Sequence, residues 1–195
     1  MKREPLFWRG AQALVLASAS PRRVALLRQV QVPFTVVDPG PDREWPGLAE
    51  PRSGVRALAL EKARRVSLHR PGRVVIGADT VVVLRGKRLG KPRDLAEALA
   101  MLQHLHGRTH EVWTGIAVVR DGEARTAAEC AKVRFAAMSP AEIIAYVRTG
   151  EPLDKAGAYG VQGVGGQFVR RIEGDYTTVV GLPLARLRQV LREFA

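Results

Sequence analysis

The run VVIGADTVVVL, residues 74–84, places the tightest limit on what this chain can fold into. It is apolar and rich in β-branched residues, which predicts strands at 73–77 and 80–84 with an interruption at the GAD tripeptide. Asp79 is the unusual residue, because an unpaired carboxylate is expensive to bury in an apolar strand. Two interpretations stay open: an aspartate at a strand bend that is bonded to nearby amides, and a carboxylate that holds Mg²⁺ or orients water beside bound phosphates.

Apolar periodicity and helix-start signals predict that strands and helices alternate along the rest of the chain. Asp94 and Ser139 are the expected N-caps of two helices, and Glu142 completes a capping box with Ser139. Mixed strands and helices with at least one crossover indicate an α/β domain. Further strands are expected at 14–17, 34–37, 110–120, 126–135, 168–172 and 177–180, a hairpin turn at 85–87, and helices at 21–30, 53–69, 95–105, 139–150 and from 183 onward.

Composition excludes several classes of protein. With 195 residues, 46% hydrophobic and 26% charged, the chain fits one soluble domain with a proper core. The single Cys130 rules out an internal disulfide framework and a thiolate metal cluster. No run approaches the ~18 apolar residues that span a bilayer, and Glu4 and Pro5 interrupt an N-terminal segment that otherwise looks like a secretory signal. We therefore expect no membrane association and a cytoplasmic location.

The stretch LASASPRRVALL raises a question of charge. Ser20 and Pro21 predict a helix start, with serine as the N-cap and proline at the first helical position. Arg22 and Arg23 follow, where the helix dipole disfavours each cation by roughly 0.3–1 kcal/mol. Either both arginines are solvated, or the helix amides, the two guanidinium groups and the hydroxyls of Ser18 and Ser20 face one bound anion.

Two lysines also occupy informative positions. Lys62 falls on or beside the apolar stripe of the predicted helix 53–69, so it either lies along the edge of the core or reaches into a charged site. Lys91, in LGKPRD, follows the hairpin and precedes a helix, which is a common place for a catalytic loop. The segment GKRLGKP is not a P-loop, because proline follows the lysine and the glycines are wrongly spaced.

The glycine-rich stretch GEPLDKAGAYGVQGVGGQF, residues 150–168, combines acidic, basic and small residues. Gln162 presents both a donor and an acceptor, which is what recognition of a nucleobase edge requires. Without other context the stretch is equally compatible with a flexible surface loop.

Together these motifs resemble one family over nearly the whole chain: the Maf nucleotide pyrophosphatases, also known as septum-formation inhibitors. The ordered set is highly specific, although no single motif would suffice. It comprises LASASPRR, EKA at 61–63, GADTVV at 77–82, GKPRD at 90–94, GRTHEVWTG at 107–115, GEPLDKAGAYGVQG at 150–163 and VVGLPL at 179–184.

The resemblance implies an elongated mixed α/β fold, similar to that of inosine triphosphate pyrophosphatases, with residues 1–195 in one domain that has two lobes around a central cleft. It implies hydrolysis of a nucleoside triphosphate to the monophosphate and pyrophosphate, with a divalent cation such as Mg²⁺ or Mn²⁺. A homodimer is also expected from the family.

The resemblance further assigns roles to single residues. Asp79 matches the family's catalytic aspartate, the proposed proton acceptor for the attacking water. The family's phosphate-site residues match Ser18, Arg23, Lys62 and Lys91, and its substrate-discriminating positions fall on Arg22, Thr80 and Gln162. Arg, Thr and Gln at these three positions are typical of the branch that acts on dTTP and UTP, whereas the branch that prefers 7-methyl-GTP differs there. The alternative within the same enzyme class is a pyrophosphatase for 7-methyl-GTP or a modified nucleotide.

The chain departs from the family pattern in one loop. The family usually has an acidic pair after the second strand, whereas this chain reads Asp42-Arg43-Glu44. Asp42 or Glu44 is able to substitute through a shift of the loop, so the metal ligands stay unassigned.

A different class of function is a nucleic-acid-binding or septum-regulating protein without turnover. The net charge of +12 favours it, because a basic face binds phosphate backbones without sequence preference. Against it, the sequence shows no recognition-helix pattern and no set of aromatic residues for stacking on bases. We therefore expect nucleic-acid binding to be at most weak and non-specific.

Overall fold

A computed structural model describes residues 7–47 and 49–195 of the chain. Within this part the fold is mixed α/β, as predicted, with a seven-stranded sheet in the order β2-β1-β3-β5-β6-β7 and β4 paired to β3. The strands are β1 Leu14–Ala17, β2 Phe34–Val37, β3 Val75–Leu84, β4 Lys87–Leu89, β5 Thr109–Arg120, β6 Glu123–Phe135 and β7 Val169–Glu173. The α-helices are α1 Pro21–Gln29, α2 Pro51–Ser67, α3 Leu95–Leu105, α4 Pro140–Arg148, α5 Tyr176–Val180 and α6 Leu184–Leu191.

The chain divides into two compact units. The first contains the described residues up to Asp79 together with Thr114–Glu129 and Gly181–Ala195. The second contains Thr80–Trp113 and Cys130–Val180. The three longest strands, β3, β5 and β6, contribute residues to both units.

The first unit is built on the parallel strands β2, β1 and β3, with α1 and α2 as the crossover helices. Parallel neighbours need such crossovers, and the helices in turn cover the apolar strands. Strand β1 is completely buried, and α2 packs its small apolar residues against it. The core here comprises Val15, Ala17, Ala59, Ala63, Val66, Val75, Ala117 and Val119.

The second unit has its own apolar core, to which α3 and α4 contribute one face each. Both predicted caps are confirmed. The Asp94 side chain accepts a hydrogen bond from the Glu97 amide at 2.8 Å, and Ser139 and Glu142 form the capping box. These caps satisfy amide groups that would otherwise lack partners at the helix starts.

The prediction of a strand at 177–180 is wrong, because Tyr176–Val180 forms the short helix α5. The side chain of Asp175 accepts hydrogen bonds from the amides of Thr177 and Thr178, at 2.9 and 3.0 Å, and from both threonine hydroxyls. A helix start satisfied in this way outweighs the modest strand preference of the β-branched run.

No helix within residues 7–47 and 49–195 has both the length and the apolar character needed to span a membrane. The N-terminal residues Glu4 and Pro5, which interrupt the signal-like segment, lie outside the described residues. Trp8 is buried, and its indole nitrogen donates to the Gln12 carbonyl at 2.8 Å.

Candidate active site

Three parallel strands of the first unit end at the same edge of the sheet. In their register Ala17 of β1 lies opposite both Val37 of β2 and Gly77 of β3. The chain therefore leaves β1 at Ser18 and β2 at Asp38 side by side, while β3 continues to Asp79. Ligands of open α/β sheets bind outside the carboxyl ends of the strands, so a ligand site is expected at this edge.

A lysine and two aspartates form the centre of this edge. Lys62 Nζ lies 2.6 Å from Asp79 Oδ1 and 2.7 Å from Asp42 Oδ1. Lys62 is 5% exposed, and the side chain of Asp79 is 15% exposed, whereas that of Asp42 is 51% exposed. The partner of Asp79 is therefore the ammonium group of Lys62, and of the two alternatives for Lys62 the structure shows the charged site.

The close approach of α2 to β3 puts Lys62 in this position. A Cβ atom at Gly77 would lie 2.2 Å from the Ala59 carbonyl oxygen and 2.8 Å from the Ala63 amide nitrogen. Only glycine lets the two backbones come so near, and Lys62 projects from the same turn of α2 as these two alanines. The glycine two residues before Asp79 is therefore part of the geometry of the site.

Arg23 lies in the same unit at the start of α1. Its Nη1 donates to Ser18 Oγ at 3.3 Å, and its Nε donates to the Gly181 carbonyl at 2.8 Å. Burial lowers the pKa of the Arg23 guanidinium, whereas the negative charges of Asp79 and Asp42 raise it. Burial is the largest of these effects, so the pKa of Arg23 lies below its ordinary value.

The two serines of this loop differ from the sequence expectation in one detail. Ser20 occupies the N-cap position of α1, but its side chain makes no capping hydrogen bond. Instead its amide donates to Ser18 Oγ at 3.2 Å, and Ser18 is buried with 3% exposure. The Ser18 hydroxyl thus holds the loop and Arg23 together. Arg22, one position earlier on α1, is half-buried.

The unusual loop after β2 brings one acidic residue into the cluster. Asp42 reaches Lys62, whereas Arg43 turns away, and its Nε lies 3.1 Å from Glu61 Oε1. The loop is held to α2 a second time by Arg65, whose Nη1 donates to the Pro41 carbonyl at 3.1 Å. The sequence left open whether Asp42 or Glu44 supplies the acidic side chain of this loop, and Asp42 is the one that contacts Lys62.

The two aspartates of this cluster suit a divalent cation bound together with phosphates. In the described part of the chain no three histidine, cysteine or acidic side chains gather as a metal cluster. However, Asp79 and Asp42 converge on one ammonium group, so both carboxylates already face a position of positive charge. Mg²⁺ is often held by one or two carboxylates together with substrate phosphates, and this pair fits that requirement.

The other three site residues of the sequence analysis belong to the second unit. Thr80 is half-buried on β3, Lys91 is exposed after β4, and Gln162 is exposed in the glycine-rich segment. The backbone beside Lys91 is fixed by a hydrogen bond of 3.0 Å from the Gly157 amide to the Gly90 carbonyl. Their roles in substrate binding stay predictions from the motifs.

Comparison with known proteins gives consistent matches over almost the full length. A family model described as "Maf-like protein" matches residues 13–194. A dTTP/UTP pyrophosphatase of Symbiobacterium thermophilum is 53% identical over 183 residues, which cover 94% of each chain. Relatives of the same name from Bacillus cytotoxicus and Bacillus cereus are 47% and 44% identical, covering 92% and 93% of this chain and 94% and 95% of their own.

Among solved structures, that of the Staphylococcus aureus Ham1 protein matches with a TM-score of 0.47 and 17% identity, covering 94% of this chain and all of that chain. The family model spans nearly every residue from β1 to the C-terminus, and the curated relatives share about half of their residues with this chain. The chain therefore belongs to the Maf-like protein family.

Proposed function

We propose that the chain hydrolyses dTTP and UTP to the nucleoside monophosphate and pyrophosphate. The observation that carries the proposal is the placement of the Asp79 carboxylate against the buried ammonium group of Lys62, at the carboxyl edge of the parallel strands. The relatives named dTTP/UTP pyrophosphatase, which cover at least 92% of this chain, support the same pair of substrates.

The cations would bind the triphosphate. Arg23 is fixed by Ser18 and by the Gly181 carbonyl, so its guanidinium is ordered before the substrate arrives. Arg22, Lys62 and Lys91 would add positive charge, and the N-terminus of α1 favours an anion at the same edge. Fixed cations of this kind stabilise the charge that develops on a leaving pyrophosphate. This role also answers the question of why two arginines open a helix.

Asp79 would position the attacking water. Its carboxylate would accept a proton from the water as the oxygen bonds to the α-phosphorus and the bond to the leaving pyrophosphate breaks. Lys62 would hold this carboxylate in place through the 2.6 Å contact and would balance its charge next to the polyanionic substrate.

Asp79 and Asp42 would hold a divalent cation such as Mg²⁺ or Mn²⁺ together with the substrate phosphates. When bound, such a cation polarises phosphoryl oxygens and offsets their negative charge. Asp42 is the more exposed of the two carboxylates. A cation from solvent would therefore reach Asp42 and replace the ammonium group of Lys62 as its partner.

Thr80, Gln162 and Arg22 would select the base. The amide of Gln162 offers a donor and an acceptor to the edge of a pyrimidine, and Thr80 directly follows the catalytic Asp79 in the chain. We also propose a cytoplasmic location, where nucleoside triphosphates are available. The homodimer remains a prediction from the family resemblance, and sedimentation measures it directly.

The Asp79→Asn variant tests the proposal. The asparagine oxygen still accepts a hydrogen bond from Lys62, so the variant should fold, but it cannot accept the proton of the water. We expect pyrophosphate release from dTTP to fall by about 10²–10⁴-fold, the usual contribution of a general base. Far-UV circular dichroism should be unchanged.

Asp121→Asn is the matched control. It makes the same change of charge in the turn between β5 and β6, where Asp121 has a φ of 48°, which asparagine readily adopts before glycine. Pyrophosphate release by Asp79→Asn at the wild-type rate would show that the role assigned to Asp79 is wrong.

In the same assay dTTP and UTP should react faster than 7-methyl-GTP, and the reverse order would contradict the proposed substrates.

A further inference from the structure

The side chain of Glu151 binds the glycine-rich segment that carries Gln162. One carboxylate oxygen accepts hydrogen bonds from the Tyr146 hydroxyl at 2.8 Å and from the Gly165 amide at 3.1 Å. The other accepts from the Val164 amide at 2.8 Å. A single carboxylate thus joins Tyr146 of α4 to the backbone at Val164 and Gly165.

Tyr146 strengthens this junction. Its hydroxyl donates to Glu151 and also accepts a hydrogen bond of 3.2 Å from the Gly160 amide. The residue is 2% exposed, and its ring meets that of Phe168 edge-on with 5.4 Å between the centroids. Burial raises the pKa of the Tyr146 hydroxyl, so the group keeps the proton that it donates to Glu151.

The glycines of the segment permit this close fit. A Cβ atom at Gly163 would lie 2.4 Å from Glu151 Oε2, and one at Gly165 would lie 2.4 Å from the Tyr146 hydroxyl oxygen. The backbone therefore rests directly on the two side chains that hold it. Gln162 lies in the chain between Gly160, whose amide donates to Tyr146, and Gly165, whose amide donates to Glu151. Its side chain is exposed.

We propose that Glu151 is a positioning residue for nucleobase recognition, which acts by fixing residues 160–165 so that Gln162 faces the base in one orientation. This inference rests on the proposed function. A side chain that discriminates between bases must hold its donor and acceptor within a few tenths of an ångström, and it needs supporting groups that are themselves fixed.

The chemistry of the junction requires a carboxylate. All three partners of Glu151 are donors, and an ionised carboxylate only accepts. Although burial raises it, the pKa of Glu151 lies below its ordinary value because of the hydrogen bonds from Gly165, Tyr146 and Val164. A glutamine has the same shape, but its NH₂ group is itself a donor. It could not accept the hydrogen bond of the partner that it faces, so at least one of the three bonds would be lost.

The experiment compares wild type, Glu151→Gln, Gln162→Ala and the double variant. Steady-state rates are measured with dTTP and with dCTP, which carries the same triphosphate but a different base edge. We expect Glu151→Gln to lower kcat/KM for dTTP about 10- to 100-fold, as loss of a hydrogen bond to a charged group does. The loss should appear mainly in KM, and the preference for dTTP over dCTP should shrink. In the Gln162→Ala background the same change should have little further effect on that preference.

A second readout is hydrogen exchange at the Val164 and Gly165 amides, which should become faster in Glu151→Gln. Glu142→Gln is the matched control, because Glu142 also accepts hydrogen bonds within the second unit, from Ser139 at the start of α4. If Glu151→Gln does not fold, Tyr146→Phe removes one donor to Glu151 and the acceptor for Gly160, and it should show the same pattern more weakly.

An unchanged preference for dTTP in an active Glu151→Gln protein would overturn the inference and leave the proposed function intact. The inference would also be overturned if Glu151→Gln reduced the preference for dTTP over dCTP equally in the wild-type and Gln162→Ala backgrounds. A wild-type protein that releases no pyrophosphate from dTTP would contradict the proposed function itself, and the inference with it.

Discussion

Lys62 shows how one residue links the packing of the first unit to its chemistry. It is one of the buried residues of α2, together with Ala59 and Ala63, and its ammonium group is shared by Asp79 and Asp42. A buried cation needs such partners, because leaving it unpaired costs several kcal/mol. The same pairing orders the carboxylate that we assign to the attacking water.

His110 is a second buried titratable residue, in the core of the second unit. It is 2% exposed, its Nε2 lies 2.9 Å from the Tyr159 hydroxyl, and its ring contacts those of Phe135 and Tyr159 edge-on. Burial lowers the pKa of His110 from 6.5 to about 4. The folded chain therefore holds a neutral imidazole at pH values where the unfolded chain has already taken up a proton.

We predict that His110 contributes to the loss of stability in acid. Its contribution is complete above pH 6.5 and falls as the pH drops from about 6.5 to about 4, with a slope of at most about 1.4 kcal/mol per pH unit. Urea unfolding at several pH values should show a shallower slope for His110→Gln than for the wild type. The exposed His69, changed to glutamine, serves as the control. Identical slopes for all three proteins would show that His110 does not titrate on unfolding.

At the scale of elements, the contact between α2 and β3 matters most. Gly77 allows the two backbones to touch. This contact determines the position of the Lys62 ammonium group relative to the Asp79 carboxylate. The same helix packs closely on β5, where a Cβ at Gly115 would lie 2.3 Å from the Val55 carbonyl group. Two glycines in two strands therefore fix the position of α2 and, with it, the Lys62–Asp79 ion pair of the candidate site.

We predict that Gly77→Ala destabilises the protein by about 1–3 kcal/mol, as overpacking of a core usually does. It should also slow pyrophosphate release, because the methyl group pushes α2 and Lys62 away from Asp79. Gly90→Ala is the control for stability, since a Cβ atom there has no neighbour within 4 Å. Urea unfolding measures the first effect. A Gly77→Ala protein as stable as Gly90→Ala and as active as the wild type would refute this account of the contact.

The secondary structure was largely predictable, because periodicity and capping are local. The outcome at 177–180 shows the limit of such reasoning: the run TTVV favours a strand, but Asp175 satisfies four donors at a helix start. Local preference amounts to a few tenths of a kcal/mol per residue, and one well-placed side chain exceeds it.

The grouping of the candidate site was predictable where its residues lie in ordered motifs, since Lys62 contacts Asp79 and Arg23 contacts Ser18, while their roles stay predictions. It was not predictable in the loop after β2, because a loop has no period that says which side chain turns inward. Arg43 pairs with Glu61, and only Asp42 reaches Lys62. The role inferred for Glu151 depends on contacts with residues 164 and 165, and such contacts appear only in three dimensions.

At the scale of the whole molecule, the net charge of +12 attracts polyanions of every kind. A triphosphate substrate and a nucleic-acid backbone would both respond to it. The two differ in how they depend on salt, because duplex binding relies on the release of many condensed counterions. A site with fixed cations and a carboxylate, by contrast, acts over short distances that salt screens less.

We predict that binding of a random-sequence DNA duplex, measured by fluorescence anisotropy, is weak at about 50 mM salt and lost at about 200 mM. Pyrophosphate release from dTTP should continue at the higher concentration, because its contacts lie within the site. Duplex binding that persists at the higher salt concentration and inhibits turnover of dTTP would favour a nucleic-acid-binding function instead.

Hydrolysis of dTTP in ¹⁸O-labelled water tests the central claim most directly, with the wild type and Asp79→Asn side by side. If Asp79 directs water to the α-phosphorus, the wild type places the label in dTMP and releases unlabelled pyrophosphate. The Asp79→Asn variant should form almost none of either product. Label in the pyrophosphate, release of single phosphate, or labelled dTMP at an undiminished rate from Asp79→Asn would contradict the account.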